Sequence, residues 1–263
     1  MPYLSGISAE FVKFSRDGQW VTYVAFPEGT LWRSRLDGSE RLQLTTPPMQ
    51  VFQPCWSPDG KRIAFAAISP GKPWRVHVIS AAGGTPEPLF PESHNQNHPN
   101  WSPDGKSIAF SYVYFLEATP PGTTIMHLEN HRVERLPGSE GFWESEWSPD
   151  GRYVVARTLD SQALMLFDFK ARQWTELVRR HIGFLLQWSA DGQEVYFYRI
   201  GNEPAVMRVR IDDHSVDEVV GLKNIKNTGW AGGLWTGITP DNSPLLLRDT
   251  GTQEIYALDW QDP

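Results

Sequence analysis

The chain has 263 residues with 31 acidic against 24 basic side chains, a formal charge of −7 and a pI near 5.5. That balance offers no basic face to phosphates, so it argues against nucleic-acid partners and against attraction to an anionic membrane surface. A single cysteine, Cys55, rules out an internal disulfide and is expected to be a small buried apolar residue.

No run of 18 apolar residues and no charged-then-apolar leader is present, so no membrane span or export signal is expected, and the compartment stays open between periplasm and cytoplasm. With 22 Gly, 21 Pro and 13 % aromatics, and no segment of helical period, the expected class is all-β.

In chain order, a short motif recurs: Phe14-Ser15-Arg16-Asp17-Gly18, Trp56-Ser57-Pro58-Asp59-Gly60, Trp101-Ser102-Pro103-Asp104-Gly105, Trp147-Ser148-Pro149-Asp150-Gly151, Trp188-Ser189-Ala190-Asp191-Gly192 and a worn Ile238-Thr239-Pro240-Asp241-Asn242. The intervals of 42, 45, 46, 41 and 50 residues each suit one blade of four strands. Ser and Pro take the first two corners of a tight turn, Asp favours the third, and Gly or Asn accepts the left-handed exit. Six copies therefore predict a six-bladed β-propeller of four antiparallel strands per blade, forming one domain over 1–263. The leading aromatics are expected to end the inner strands and fill the gaps between blades.

Blade one (5–46) reads as strands at Glu10–Phe14, Trp20–Val24, Thr30–Arg35 and Arg41–Thr45. Beyond their inner strands, blade two (47–90) has Lys61–Ala67, Trp74–Ile79 and Pro86–Phe90, and blade three (91–137) has Ser107–Val113, Thr123–Leu128 and Arg132–Leu136. Blade four (138–178) has Tyr153–Thr158, Ala163–Phe169 and Trp174–Val178, and blade five (179–220) has Glu194–Arg199, Ala205–Ile211 and Val216–Val220. Blade six (221–263 plus 1–4) supplies Leu245–Arg248 and Glu254–Leu258 but no outer strand. Counting back from Phe14 by the spacing of the other repeats reaches Tyr3, so Met1–Leu4 are expected to complete this blade and close the ring, which removes two raw edges. So short a strand further implies that the natural polypeptide continues upstream.

The repeated WSPDGK/R-x-I-A-F at about 45-residue spacing is similar to TolB-type propeller repeats, which also occur in the propellers of dipeptidyl peptidase IV-like and prolyl oligopeptidase-like enzymes. The stretches Pro2–Ser8 and Gly29–Gly38 resemble the carboxy-terminal propellers of bacterial regulators, and that resemblance implies a sensory or interaction role within a larger protein. The peptidases owe their chemistry to a separate hydrolase domain, which these repeats do not supply.

If the motif turns lie on one face, the inter-blade loops lie on the other. Those loops carry Gln53, His98, Trp143, Glu144, Phe184, Trp230 and Trp235, and the Tyr112–Gly122 loop brings Tyr114 over the same face. Aromatics with a few polar groups suit a protein, peptide or small-molecule site; the alternative is that they plug the channel mouth. His94, His98 and His181, with Gln53, give the alternative of a metal-dependent lyase or hydrolase, since some related lyases set histidines around a pore metal; a solvated polar loop is the simpler explanation of them. Glu144 and Glu146 are expected on opposite sides of their strand and so not to act as an acid–base pair.

No G-x-S-x-G, C-x-x-C, H-E-x-x-H or glycine-rich phosphate loop occurs. The expectation is a monomeric, cofactor-free binding module, with a purely structural spacer as a further alternative.

Overall fold

The computed structural model describes residues 7–90, 94–113, 116, 121–225 and 235–247. Each complete repeat folds as a four-stranded antiparallel meander in simple sequence order. Blade one is β1 (Ala9–Phe14), β2 (Trp20–Ala25), β3 (Thr30–Arg35) and β4 (Leu42–Gln43); blade two is β5 (Gln50–Trp56), β6 (Arg62–Ile68), β7 (Arg75–Ser80) and β8 (Glu87–Pro88). Blade three is β9 (Gln96–Trp101), β10 (Ser107–Tyr112), β11 (Thr124–His127) and β12 (Val133–Arg135), and blade four is β13 (Phe142–Trp147), β14 (Tyr153–Thr158), β15 (Ala163–Asp168) and β16 (Gln173–Arg179). Blade five is β17 (Gln187–Trp188), β18 (Glu194–Arg199), β19 (Ala205–Arg210) and β20 (Val216–Gly221).

Where six four-stranded blades are expected, five are formed among the described residues, and the sixth repeat contributes the hairpin β21 (Trp235–Ile238) and β22 (Pro244–Leu246). That hairpin sits between blades five and one: Ile238 N–H donates to Gln187 Oε1 at 3.2 Å, Ala190 N–H to Asn242 Oδ1 at 3.3 Å, and Pro240 packs beside Gly18. The expected closing strand at Met1–Leu4 and the third strand at Glu254–Leu258 lie outside the described residues. No described helix is long and apolar enough to cross a membrane.

The motif turns form as their chemistry dictates. In blade two, Ser57 Oγ donates to Asp59 Oδ1 at 2.6 Å and accepts Arg62 N–H at 2.9 Å, while Gly60 N–H returns to Ser57 O at 2.9 Å with φ of 68°. Asn242, in place of Gly, takes φ of 64°. Successive turns stack around the ring, so that a methyl on Gly151 would meet Pro103 Cγ at 3.1 Å. The motif aromatics fasten neighbouring blades: Trp56 Nε1 donates to Lys13 O at 3.1 Å and Trp188 Nε1 to Glu146 O at 3.0 Å.

The second and third strands supply the sealed core, with Val21, Leu31, Ile63, Phe65, Ile108, Phe110, Leu164 and Phe197 all at 0 % exposure. Each such side chain contributes roughly 1.5–3 kcal/mol of burial, which leaves the inner strands free to carry polar residues. The outer strand of blade two shrinks to Glu87–Pro88 because Pro86 and Pro88 donate no ladder hydrogen bonds.

Candidate binding sites along the channel

One position in or just before the inner strand departs from strand geometry in every complete blade. Phe11, Gln53, His98, Glu144 and Leu185, each three residues before the motif aromatic, have φ between 49° and 71°. In blades one to four a shift in register accompanies them. Such a bulge re-aims the side chain, and a non-glycine residue held there costs about 1–3 kcal/mol. Three of the five are polar, and they meet neighbours from other blades.

The amide of Gln53 contacts His98 Nε2. Burial, aided by the Arg157 charge, pushes the His98 imidazole down to about 3, so it is neutral at physiological pH. An amide nitrogen can only donate; when Gln53 Nε2 is the contacting atom, His98 Nε2 accepts and its proton sits on Nδ1. The His98 ring stands edge-on to Trp143 at 4.9 Å, and Trp143 meets Phe184 at 6.1 Å. Behind them Arg157, on β14, donates from Nε to Glu144 Oε2 at 3.2 Å, each side chain being 3 % exposed. Its guanidinium lies 4.6 Å from the Phe184 ring and 5.5 Å from that of Trp143. Glu144 Oε1 accepts the Leu185 N–H of blade five. Burial pushes the Glu144 carboxyl up, and the Arg157 charge pulls against it.

The expected set is therefore brought together in part. Gln53, His98, Trp143, Glu144 and Phe184 form one connected group, buried or half-buried rather than an open rim. Tyr114 and Trp230 lie outside the described residues, and Trp235 is described only by its place in β21. His94 is exposed with its ring against Tyr112, and His181 is exposed as well, so the structure does not gather them with buried His98. Among the described residues no three His, Cys, Asp or Glu side chains are grouped to hold a metal.

Glu144 and Glu146 correct an expectation. Residues two apart share a face of a regular strand, so alternation along the strand is not what separates them. Here the left-handed turn at Glu144 aims it at blade five while Glu146 enters the opposite end of the channel, and Glu144 adds to the burial that pushes Glu146 up to about 7.

That opposite end is a funnel of about 470 Å³ opening among the motif turns. Its floor is built by the residue just before each motif aromatic: Lys13, Cys55, Asn100, Glu146 and Gln187. Cys55 is thus half-buried at the funnel rather than in the sealed core, with its thiol donating to Pro99 O at 3.0 Å and held in the protonated form chiefly by burial. Arg157 and the floor residues were not among the expected site residues. Arg157 had a signal, a cation ending the apolar run Val154-Val155-Ala156, and the floor was a column of polar letters at one repeat position.

The TolB beta propeller domain family matches residues 11–234. The chain belongs to that family. Solved structures agree on the fold. This TolB propeller superposes on a protein described as TolB from Agrobacterium tumefaciens with a TM-score of 0.73 at 19 % identity, covering 94 % of this chain and 90 % of that one. For TolB from Acinetobacter baumannii the values are 0.66 and 20 %, covering 90 % and 64 %. An oligogalacturonate lyase in complex with manganese gives 0.64 and 15 %, covering 88 % and 71 %. No curated protein matches the sequence. At these identities the likeness is one of fold.

Proposed function

We propose that this TolB propeller is a six-bladed, non-enzymatic binding module that recognises a protein, peptide or small molecule at its loop-rich end, through the Gln53–His98–Trp143–Glu144–Phe184 group with Arg157. The observation that carries this reading is a concentration of unanswered polar atoms. Gln53 Oε1, His98 Nδ1 and Arg157 Nη2 are buried without a hydrogen-bond partner among the described residues. Each such atom costs about 1–3 kcal/mol, and each lies beside a residue held at positive φ. Strain and unmet polarity at one place are what a preorganised recognition site retains. A ligand here supplies an acceptor for Arg157 and a donor for Gln53. Tyr114, Trp230 and Trp235 belong to the same proposed face. Six blades are supported by the sixth motif and by the hairpin lodged between blades five and one.

Ligand-observed NMR against mixed small molecules and short peptides tests it. Binders are expected that lose at least tenfold in affinity with Gln53→Ala or His98→Ala and are indifferent to Glu146→Gln. An absence of binders, or a set of binders none of which is weakened by the first two substitutions, refutes the reading.

A further inference from the structure

The funnel on the motif-turn face is a second place where polar groups are assembled and left incompletely paired. Lys13, from blade one, and Glu146, from blade four, face each other with Nζ and Oε1 4.0 Å apart, beyond hydrogen-bond distance. Among the described residues the Lys13 ammonium, a threefold donor, makes one long hydrogen bond, to Gln187 Oε1 at 3.4 Å. Glu146 Oε2 accepts from Asn100, whose own Oδ1 is taken by Trp147 N–H at 2.8 Å, so the floor is pinned in place while Oε1 stays open. Both side chains keep about a fifth of their surface accessible, 19 % and 22 %.

The mouth adds a direction. Its ring is the second corner of each motif turn, where Arg16 is a cation among Pro58, Pro103, Pro149, Pro240 and Ala190. Arg16 makes no ion pair among the described residues. Two cations thus stand on the blade-one wall, and one carboxylate stands opposite. The volume of about 470 Å³ falls within the ~300–1,000 Å³ of small-molecule sites.

We propose that this funnel is a binding site for a compact zwitterion of the α-amino acid type, its carboxylate on Lys13 and Arg16 and its ammonium on Glu146 Oε1. An isolated anion would meet Glu146 and an isolated cation would meet Lys13; a ligand carrying both charges on adjacent atoms answers both. The site is independent of the loop-face reading, since the two share no residue. Proton linkage gives a second signature. Glu146 is pushed up to about 7 by burial and by Glu144, against Lys13 and the Asn100 amide, with the protonated Cys55 thiol beside it. Affinity therefore rises as pH increases through about 7 and Glu146 ionises, until the ligand amine loses its proton.

The test is calorimetric titration of the intact chain in phosphate buffer with the standard α-amino acids, their N-acetyl and methyl-ester forms, acetate and glycerol. At least one free amino acid is expected to bind. Either cap should weaken it roughly 10–100-fold, the loss of one hydrogen-bonded charge, as should Lys13→Met or Glu146→Gln. Ala190→Trp, on an exposed motif turn, leaves the floor intact and narrows the mouth; circular dichroism checks its fold, and binding should fall in the same range. The proposal is overturned if no free amino acid binds the wild-type chain, if capped forms, acetate or glycerol bind equally well, or if binding survives the floor and mouth substitutions.

Discussion

Replacing Arg157 by Met removes the partner of a carboxylate that has no access to water. Both side chains are 3 % exposed and 3.2 Å apart, so solvent screening does not soften the loss. Arg157 also donates to Ser161 Oγ at 2.5 Å, which ties the pair to the second-to-third strand turn of blade four. Breaking one member of such a buried pair costs about 3–5 kcal/mol. For a chain of this size about 1 kcal/mol corresponds to roughly 2–4 °C, so the melting temperature should fall by about 6–20 °C at pH 7.5 in differential scanning fluorimetry. Without Arg157 the Glu144 carboxyl is raised further, and its protonated form is the tolerated one. A raised carboxyl contributes stability below its unfolded value that is lost as pH rises through the folded one. The Arg157→Met deficit should therefore shrink at pH 5.5 and grow at pH 8. Adding Glu144→Gln should recover a substantial part of the loss at pH 8, by removing the stranded charge. A drop under about 3 °C, or a double variant no better than the sum of its singles, would refute the view that this pair is one buried unit.

Glu146 gives a second pH test: with its carboxyl raised from 4.5 to about 7, the wild type should lose stability relative to Glu146→Gln as pH rises from about 4.5 through 7. The linkage ceiling is about 3 kcal/mol, lowered by the 22 % of the side chain that meets solvent; parallel melting profiles of the two proteins would sink it. Gly151→Ala should cost more than Gly60→Ala, because both sit at positive φ, worth about 1 kcal/mol, but only the methyl at 151 meets a neighbour, Pro103 Cγ at 3.1 Å. Equal urea midpoints would show that the turns do not stack as described. Trp56→Phe should cost about 1 kcal/mol more than Trp101→Phe, since Trp56 Nε1 donates to Lys13 O whereas Trp101 Nε1 is buried without a partner; chemical denaturation of the two variants distinguishes them.

The turns were legible in the sequence because their chemistry is local. Ser57, Asp59 and Gly60 bond to one another within six residues, so their letters alone fix the bend. The order of strands within each complete blade followed from the spacing of those turns, and the predicted second and third strands of blades one to five lie within a residue or so of the observed ones. The left-handed inner-strand position was not legible. Phe11, Gln53, His98, Glu144 and Leu185 share no side-chain chemistry, and none is Gly or Asn, the residues that advertise positive φ. In blades one to four the conformation goes with a bulge against the second strand, a tertiary feature that local propensity does not report. For the same reason the mutual contacts of Gln53, His98, Trp143 and Glu144, and the part of Arg157 in them, were not legible in the letters.

The two ends of the channel follow from one repeat unit read at two positions. Three residues before the motif aromatic the strand bulges, and side chains reach sideways into adjacent blades: Glu144 bonds blade five, and Gln53 meets His98 of blade three. One residue before the aromatic the strand is regular again, and side chains reach across the channel, so that Lys13 of blade one faces Glu146 of blade four. The first set is buried or half-buried and stores strain and unmet polarity; the second stays partly accessible and holds a loosely engaged Lys13–Glu146 pair. Because the core of each blade is supplied largely by its second and third strands, the polar members of both positions can vary with little loss of apolar burial, whereas Phe11 and Leu185 belong to the core themselves. Substitutions there should accordingly change what is bound more readily than whether the ring forms. The Glu144–Arg157 pair is the exception, since losing either partner leaves a charge in the interior.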